Sequence, residues 1–206
     1  MTQLLQYMNQ GGIVMYPIAF ASLLALTIFI ERLLALRKGR ILPSHLVSDA
    51  RALVVKDNFS DAKALVDQDA SPMAALLRQI IDKKDEPIPL IKESVEEQGR
   101  QESALLEKYV GLLGTIASIA PLLGILGTVT GLISAFQGIY DTGSASPAVV
   151  ASGVWEALLT TAFGLMVGIP SFLAYRFLLS KIDHLVLLLE KESISFFELV
   201  RSKQNL

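Results

Sequence analysis

Three stretches of the chain, residues 1–30, 110–140 and 157–175, carry no charged side chain. Each is apolar and reaches the length of about 18 residues or more that spans a bilayer as a helix. Between the first two the pattern changes to short amphipathic helices. Ser44 is placed to cap one that presents Leu46, Ala50, Leu53 and Val54. Ser71-Pro72 puts a capping hydroxyl before a first-turn proline, and Met73, Leu76, Leu77, Ile80 and Ile81 then share one face. The run Asp85-Glu86-Pro87-Ile88-Pro89 ends that helix. From Leu90 nothing in the spacing stops a helix before Gly138, so one long helix is predicted, half in water and half in lipid. Beyond the third stretch, Leu178, Leu179, Ile182, Leu185, Val186, Leu189, Phe196, Phe197 and Val200 form a helical stripe. It is suited to packing on the middle segment.

Composition agrees with a membrane protein. Of the 206 residues, 52% are apolar and only 18% charged, against roughly a quarter charged in soluble domains. Mean hydropathy is +0.50. The charges are segregated by region, and the net charge of −2 gives no sign of nucleic acid as a partner. All 18 Lys and Arg lie between Arg32 and Lys108 or between Arg176 and Lys203. Positive residues stay on the cytoplasmic side. The N-terminus is therefore expected outside, the middle segment inside, the short loop outside and the tail inside.

The fold class expected is an all-α integral membrane protein with three transmembrane helices and long cytoplasmic helical extensions. Its segments are an outer N-terminus (1–12), a first span (13–36), a cytoplasmic segment (37–108), a second span (109–138), an outer loop (139–152), a third span (153–175) and a cytoplasmic tail (176–206). A cleavable signal peptide carries positive charge before its apolar core, whereas here the first positive residue, Arg32, follows it. The first span thus reads as a retained anchor.

The second and third spans hold small residues in helical register. Pro121, Gly124, Thr128, Gly131 and Ala135 form one stripe, and Ala157, Thr161, Gly164, Gly168 and Ser171 another. Gly127/Gly131 and Gly164/Gly168 are GxxxG pairs, which let membrane helices approach closely. These faces are expected to bury against neighbouring copies of the chain; packing with no further purpose is the plainer reading. Measured from Gly138 and Gly153, the expected ends of the spans, Thr128 and Thr161 both lie very roughly 12–15 Å deep. Two hydroxyls at one depth would form a polar ring if copies assembled around an axis. Thr160 points about 100° away from Thr161 around the helix. Glu156 is a carboxylate at the outer end of the third span. It reads either as functional or as a first-turn acid matched to the helix dipole.

No Asp, Glu, His, Lys or Arg lies in the middle of any span. The chain either moves no ions or takes a titratable group from a partner helix. With no Cys there is no disulfide framework or thiolate site, and His45 and His184 lack ligand-like company. No metal site and no cofactor is expected. No phosphate loop, nucleophile elbow or zinc-protease motif occurs, so no enzyme is expected.

The run Ala120-Pro-Leu-Leu-Gly-Ile-Leu-Gly-Thr-Val-Thr-Gly-Leu-Ile-Ser-Ala-Phe136 resembles the second-span signature of the ExbB/TolQ/MotA proton-channel family. Gly153-Val-Trp-Glu-Ala-Leu-Leu-Thr-Thr-Ala-Phe-Gly-Leu-Met-Val-Gly-Ile-Pro170 resembles its third-span signature. Gly12, Pro17 and Glu31-Arg32-Leu33 also fit, and the likeness extends over the whole chain. The three-span layout is closer to ExbB and TolQ than to the four-span MotA branch. Trp155 and Arg176 depart from the usual residues, which are smaller and Asn respectively.

The resemblance implies a pentamer around a central pore in the bacterial inner membrane. It further implies an ExbD-like single-span partner that supplies a membrane Asp, and a TonB-like transducer that receives the motion. By motif position Thr128 and Thr161 would be pore hydroxyls facing that Asp, with Glu156 near the outer mouth. Pro121, Gly124, Gly127, Gly131, Gly164 and Gly168 would be packing positions. The function implied is to energise TonB-dependent outer-membrane import. A TolQ-like role in envelope maintenance and a non-conducting membrane scaffold are the alternatives.

Overall fold

The computed structural model describes residues 10–143 and 147–204. Expectations for residues 1–9, 144–146 and 205–206, including most of the N-terminal segment, lie outside the described residues. Among these, all regular secondary structure is helical: α1 (Met15–Ala35), α2 (Lys38–Ile41), α3 (Ser44–Val55), α4 (Phe59–Asp67), α5 (Pro72–Asp82), α6 (Ile88–Leu106), α7 (Val110–Thr142) and α8 (Pro147–Gln204). Helices α1, α7 and α8 are long and apolar enough to cross a membrane. The chain divides into two compact units, one of Met1–Arg32 with Tyr109–Phe177, the other of Leu33–Lys108 with Leu178–Leu206.

In the second unit the amphipathic pattern becomes a core. Ala50, Val54, Ala62, Val66, Met73, Leu77 and Ile80 are buried. From α8, Leu178, Ile182, Leu185, Leu189, Phe196 and Val200 join the buried set. Arg51 on α3 reaches α8, donating to the Glu192 carboxylate at 2.7 Å and to the Ser195 hydroxyl at 3.0 Å. Arg78 on α5 holds α4 by donating to Asp67 at 2.6 Å and to the Val66 carbonyl at 2.9 Å. Lys63 on α4 donates to Asp82 on α5, and that hydrogen bond raises the Lys63 pKa above its ordinary value.

Ser71 caps α5 as the sequence indicates. Its Oγ accepts from the Ala74 backbone N–H at 3.2 Å, and Pro72 occupies the first turn. An N-cap hydroxyl contributes about 1 kcal/mol. Ser71→Ala is expected to lower the thermal midpoint of the detergent-purified protein by about 2–4 °C, read by melting under otherwise constant conditions.

Two local expectations are corrected. Ser44 does not cap α3; it is the first helical residue, Pro43 holds the cap position, and no side chain caps this end. The Pro43 carbonyl instead accepts from the Val47 N–H at 3.3 Å. The long helix predicted from Leu90 to Gly138 is also broken, since α6 ends at Leu106 and α7 begins at Val110. Between them Tyr109 adopts φ +65°, a left-handed conformation that costs an ordinary residue roughly 1–2 kcal/mol. The Arg32 guanidinium lies 5.4 Å from the centroid of the Tyr109 ring, a cation–π contact. Arg32 is itself buried and paired with Glu31. The break accompanies this contact between residues remote in sequence, which local spacing does not reveal.

Helix α7 runs past Gly138 to Thr142, and α8 starts at Pro147, before Gly153, so both helices continue beyond the membrane boundaries expected at those glycines.

Candidate functional site

The first unit is organised by the seam between α7 and α8. Its logic is the absence of side chains. A Cβ placed on Gly164 would lie 2.7 Å from the Ala120 carbonyl oxygen and 2.8 Å from the Gly124 Cα. On Gly124 it would meet the Thr161 Cα at 3.1 Å, and on Gly131 the Ala157 nitrogen and the Gly153 oxygen at 2.9 Å. On Gly127 it would overlap the Thr160 side chain, and on Gly153 the Ala135 methyl. The pairing runs antiparallel, from Ala120 beside Gly164 to Ala135 beside Gly153. Backbones touch, so dispersion replaces the hydrophobic drive that lipid withholds.

Pro121 completes the seam. Its ring stands where a Gly168 side chain would be, at 2.6 Å for Cγ and 2.7 Å for Cδ, with the Ala117 carbonyl oxygen 3.3 Å away. A helical proline leaves the carbonyl four residues earlier without its usual partner. The expectation that these faces meet neighbouring copies is therefore corrected: within one chain they meet each other. Spacing identifies a face smooth enough for close approach but not the surface that approaches it.

The three threonines have different roles. Thr160 is fully buried, fills the space over Gly127, and donates within its own helix to the Ala157 and Glu156 carbonyls at 2.9 and 3.1 Å. Thr161 is half-buried and donates across the seam to the Gly124 carbonyl at 3.1 Å. Thr128 is half-buried and donates to the Ile125 carbonyl of its own helix at 2.6 Å. Each hydroxyl thus has a carbonyl acceptor and keeps lone pairs for a further donor.

Glu156 is half-buried. It is no first-turn acid, because α8 already begins at Pro147. The helix-dipole explanation of this carboxylate therefore falls. Its Oε1 instead packs on the bare α-carbon of Gly12, which has φ +67° in the turn before α1. The adjacent Trp155 Nε1–H donates to the Gln10 Oε1 at 3.4 Å. The sequence reading missed Gly12 as a partner of Glu156, although Gly11-Gly12 before an apolar helix signals a special backbone position.

Away from the seam, large apolar side chains face outward. Leu122, Ile125, Val129, Ile133 and Phe136 on α7 are all exposed in the single chain, as are Leu158, Met166, Phe172 and Leu173 on α8. Surfaces this apolar belong against lipid or other protein. Among the described residues no group of His, Cys, Asp and Glu is arranged to hold a metal ion.

A sequence profile of the MotA/TolQ/ExbB proton channel family matches residues 68–191. Similar proteins include ExbB-like 1 of Synechocystis sp., 34% identical over 99% of this chain and 78% of that protein. Another is the biopolymer transport protein ExbB of Salmonella typhimurium, 32% identical over 79% of this chain and 70% of its own. The ExbB of Xanthomonas campestris pv. campestris is 45% identical over a shorter region, 42% of this chain and 34% of its own. With a small-residue seam between two membrane-length helices, hydroxyls on that seam and this profile match, the chain belongs to the MotA/TolQ/ExbB proton channel family.

Proposed function

We propose that this chain is the multi-span subunit of an inner-membrane motor that uses the proton motive force to energise TonB-dependent outer-membrane import. Its N-terminus faces the periplasm and its tail the cytoplasm. Copies assemble, as a pentamer, around a pore lined by α7 and α8. An ExbD-like single-span partner places a membrane Asp in that pore, and a TonB-like transducer carries the motion onward. The observation that carries this reading is the Thr161 hydroxyl bridging to Gly124 midway along two membrane-length helices, a stretch where neither helix carries Asp, Glu, His, Lys or Arg. Such a site is polar yet supplies no proton carrier, so the carrier comes from the partner. A Thr hydroxyl donates to an ionised Asp and accepts from a protonated one. A carboxylate in the bilayer interior is too costly without donors of this kind.

Glu156 then serves at the outer mouth, gathering protons for the partner's Asp. Glu156→Gln keeps the shape and hydrogen-bonding reach but removes the titratable group. It is expected to reduce energy-dependent ligand uptake at least tenfold in cells lacking the native protein, at unchanged membrane abundance. Uptake at the wild-type rate would remove Glu156 from the proton path.

A further inference from the structure

The mechanism so far leaves unexplained why Glu156 rests where it does. The turn Gln10–Gly12 reaches α8 at two consecutive residues. The Gln10 side chain accepts from Trp155, and the α-carbon of Gly12 receives the Glu156 carboxylate. Gly12 meets two demands that no other residue meets together. Its φ of +67° lies in the left-handed region, where a side chain is strained. Independently, a Cβ there would overlap the Glu156 Oε1 and stand 3.0 Å from its Cδ. The Gly12 carbonyl also accepts from the Met15 N–H at 3.3 Å, where α1 begins, and Val14 and Met15 are buried. The turn is thus anchored at the start of α1.

We propose that Gly12 is a positioning residue for Glu156: its bare α-carbon is the seat that fixes where the carboxylate lies. The first membrane helix thereby governs the proton-gathering group of the third. The functional half of this statement rests on the role given to Glu156 under Proposed function; the structural half does not.

Gly143 provides the control. It has nearly the same backbone, φ +63°, but no described residue lies within 4 Å of an added Cβ. Gly143→Ala therefore reproduces the strain without the overlap. Two readouts are compared, energy-dependent uptake and the 13Cδ resonance of Glu156 in 13C-glutamate-labelled membranes, assigned by its loss in Glu156→Gln. Gly12→Ala is expected to shift the resonance and to reduce uptake as far as Glu156→Gln does. The double variant Gly12→Ala/Glu156→Gln is expected to lose no more than either single variant. Gly143→Ala is expected to leave both readouts near wild type.

An unmoved resonance in Gly12→Ala, or an equal shift in Gly143→Ala, would overturn the proposal. So would a double variant much worse than both singles. If Glu156→Gln alone leaves uptake intact, the role of Glu156 in the proton path fails, and the resonance still decides whether Gly12 positions it. If Gly12→Ala does not accumulate in the membrane, adding the shorter Glu156→Asp is expected to restore it by vacating the space. Failure of that rescue would also count against the seat.

Discussion

Gly164→Leu is expected to abolish accumulation of the folded protein. The three atoms nearest a Cβ at this position are all backbone: the Ala120 oxygen at 2.7 Å, the Gly124 Cα at 2.8 Å and the Gly124 nitrogen at 3.0 Å. None of these can rotate away, so the helices must separate along the seam. Overpacking a tight core costs about 1–3 kcal/mol when neighbours relax, and more when they cannot. Separation also forfeits the neighbouring contacts at Gly127/Thr160 and Gly168/Pro121. Gly111→Leu is the matched control, because it lies in α7 with no described residue within 4 Å of an added Cβ. Membrane abundance and size-exclusion profile in mild detergent read the result. Wild-type profiles for Gly164→Leu would refute the α7–α8 contact.

Thr161→Val is expected to remove energy-dependent uptake while leaving the protein folded and assembled. Val matches Thr in shape but has no hydroxyl, so the 3.1 Å bond to the Gly124 carbonyl is lost. Inter-helix hydrogen bonds in membranes average only about 0.6 kcal/mol. That corresponds to a factor of roughly 3, whereas tenfold requires about 1.4 kcal/mol. A loss well beyond tenfold with normal abundance therefore marks a functional hydroxyl. Thr161→Ser is expected to retain much of the activity. Thr160→Val is expected to be mild, since its shape fills the space over Gly127 and its hydroxyl bonds only within its helix. Full uptake by Thr161→Val, or equal damage from Thr160→Val, would take Thr161 out of the pore.

What the sequence revealed follows the range of the forces involved. The three membrane-length helices were legible because lipid cannot satisfy backbone groups, which forces long uncharged helical runs. The Ser71-Pro72 start was legible because a cap is local chemistry. The start of α8 carries a similar local signal, a first-turn proline at Pro147. The break at Tyr109 was not legible, since neither Gly nor Pro marks it and its contact, Arg32, is distant in sequence. The small-residue stripes told which faces are smooth, but the partner face is a tertiary choice. The seat of Glu156 on Gly12 was hidden for the same reason: it joins the turn before α1 to α8.

The central claim is that this chain shapes a proton path but borrows the proton carrier. Proton flux into proteoliposomes under an imposed potential, followed with an entrapped pH dye, tests it directly. Vesicles holding this chain alone are expected to leak no faster than empty ones. Vesicles holding the chain with the proposed ExbD-like single-span partner are expected to conduct, and replacing that partner's proposed membrane Asp with Asn is expected to stop the flux. Conduction by the chain alone, or undiminished conduction with the Asn partner, would contradict the account.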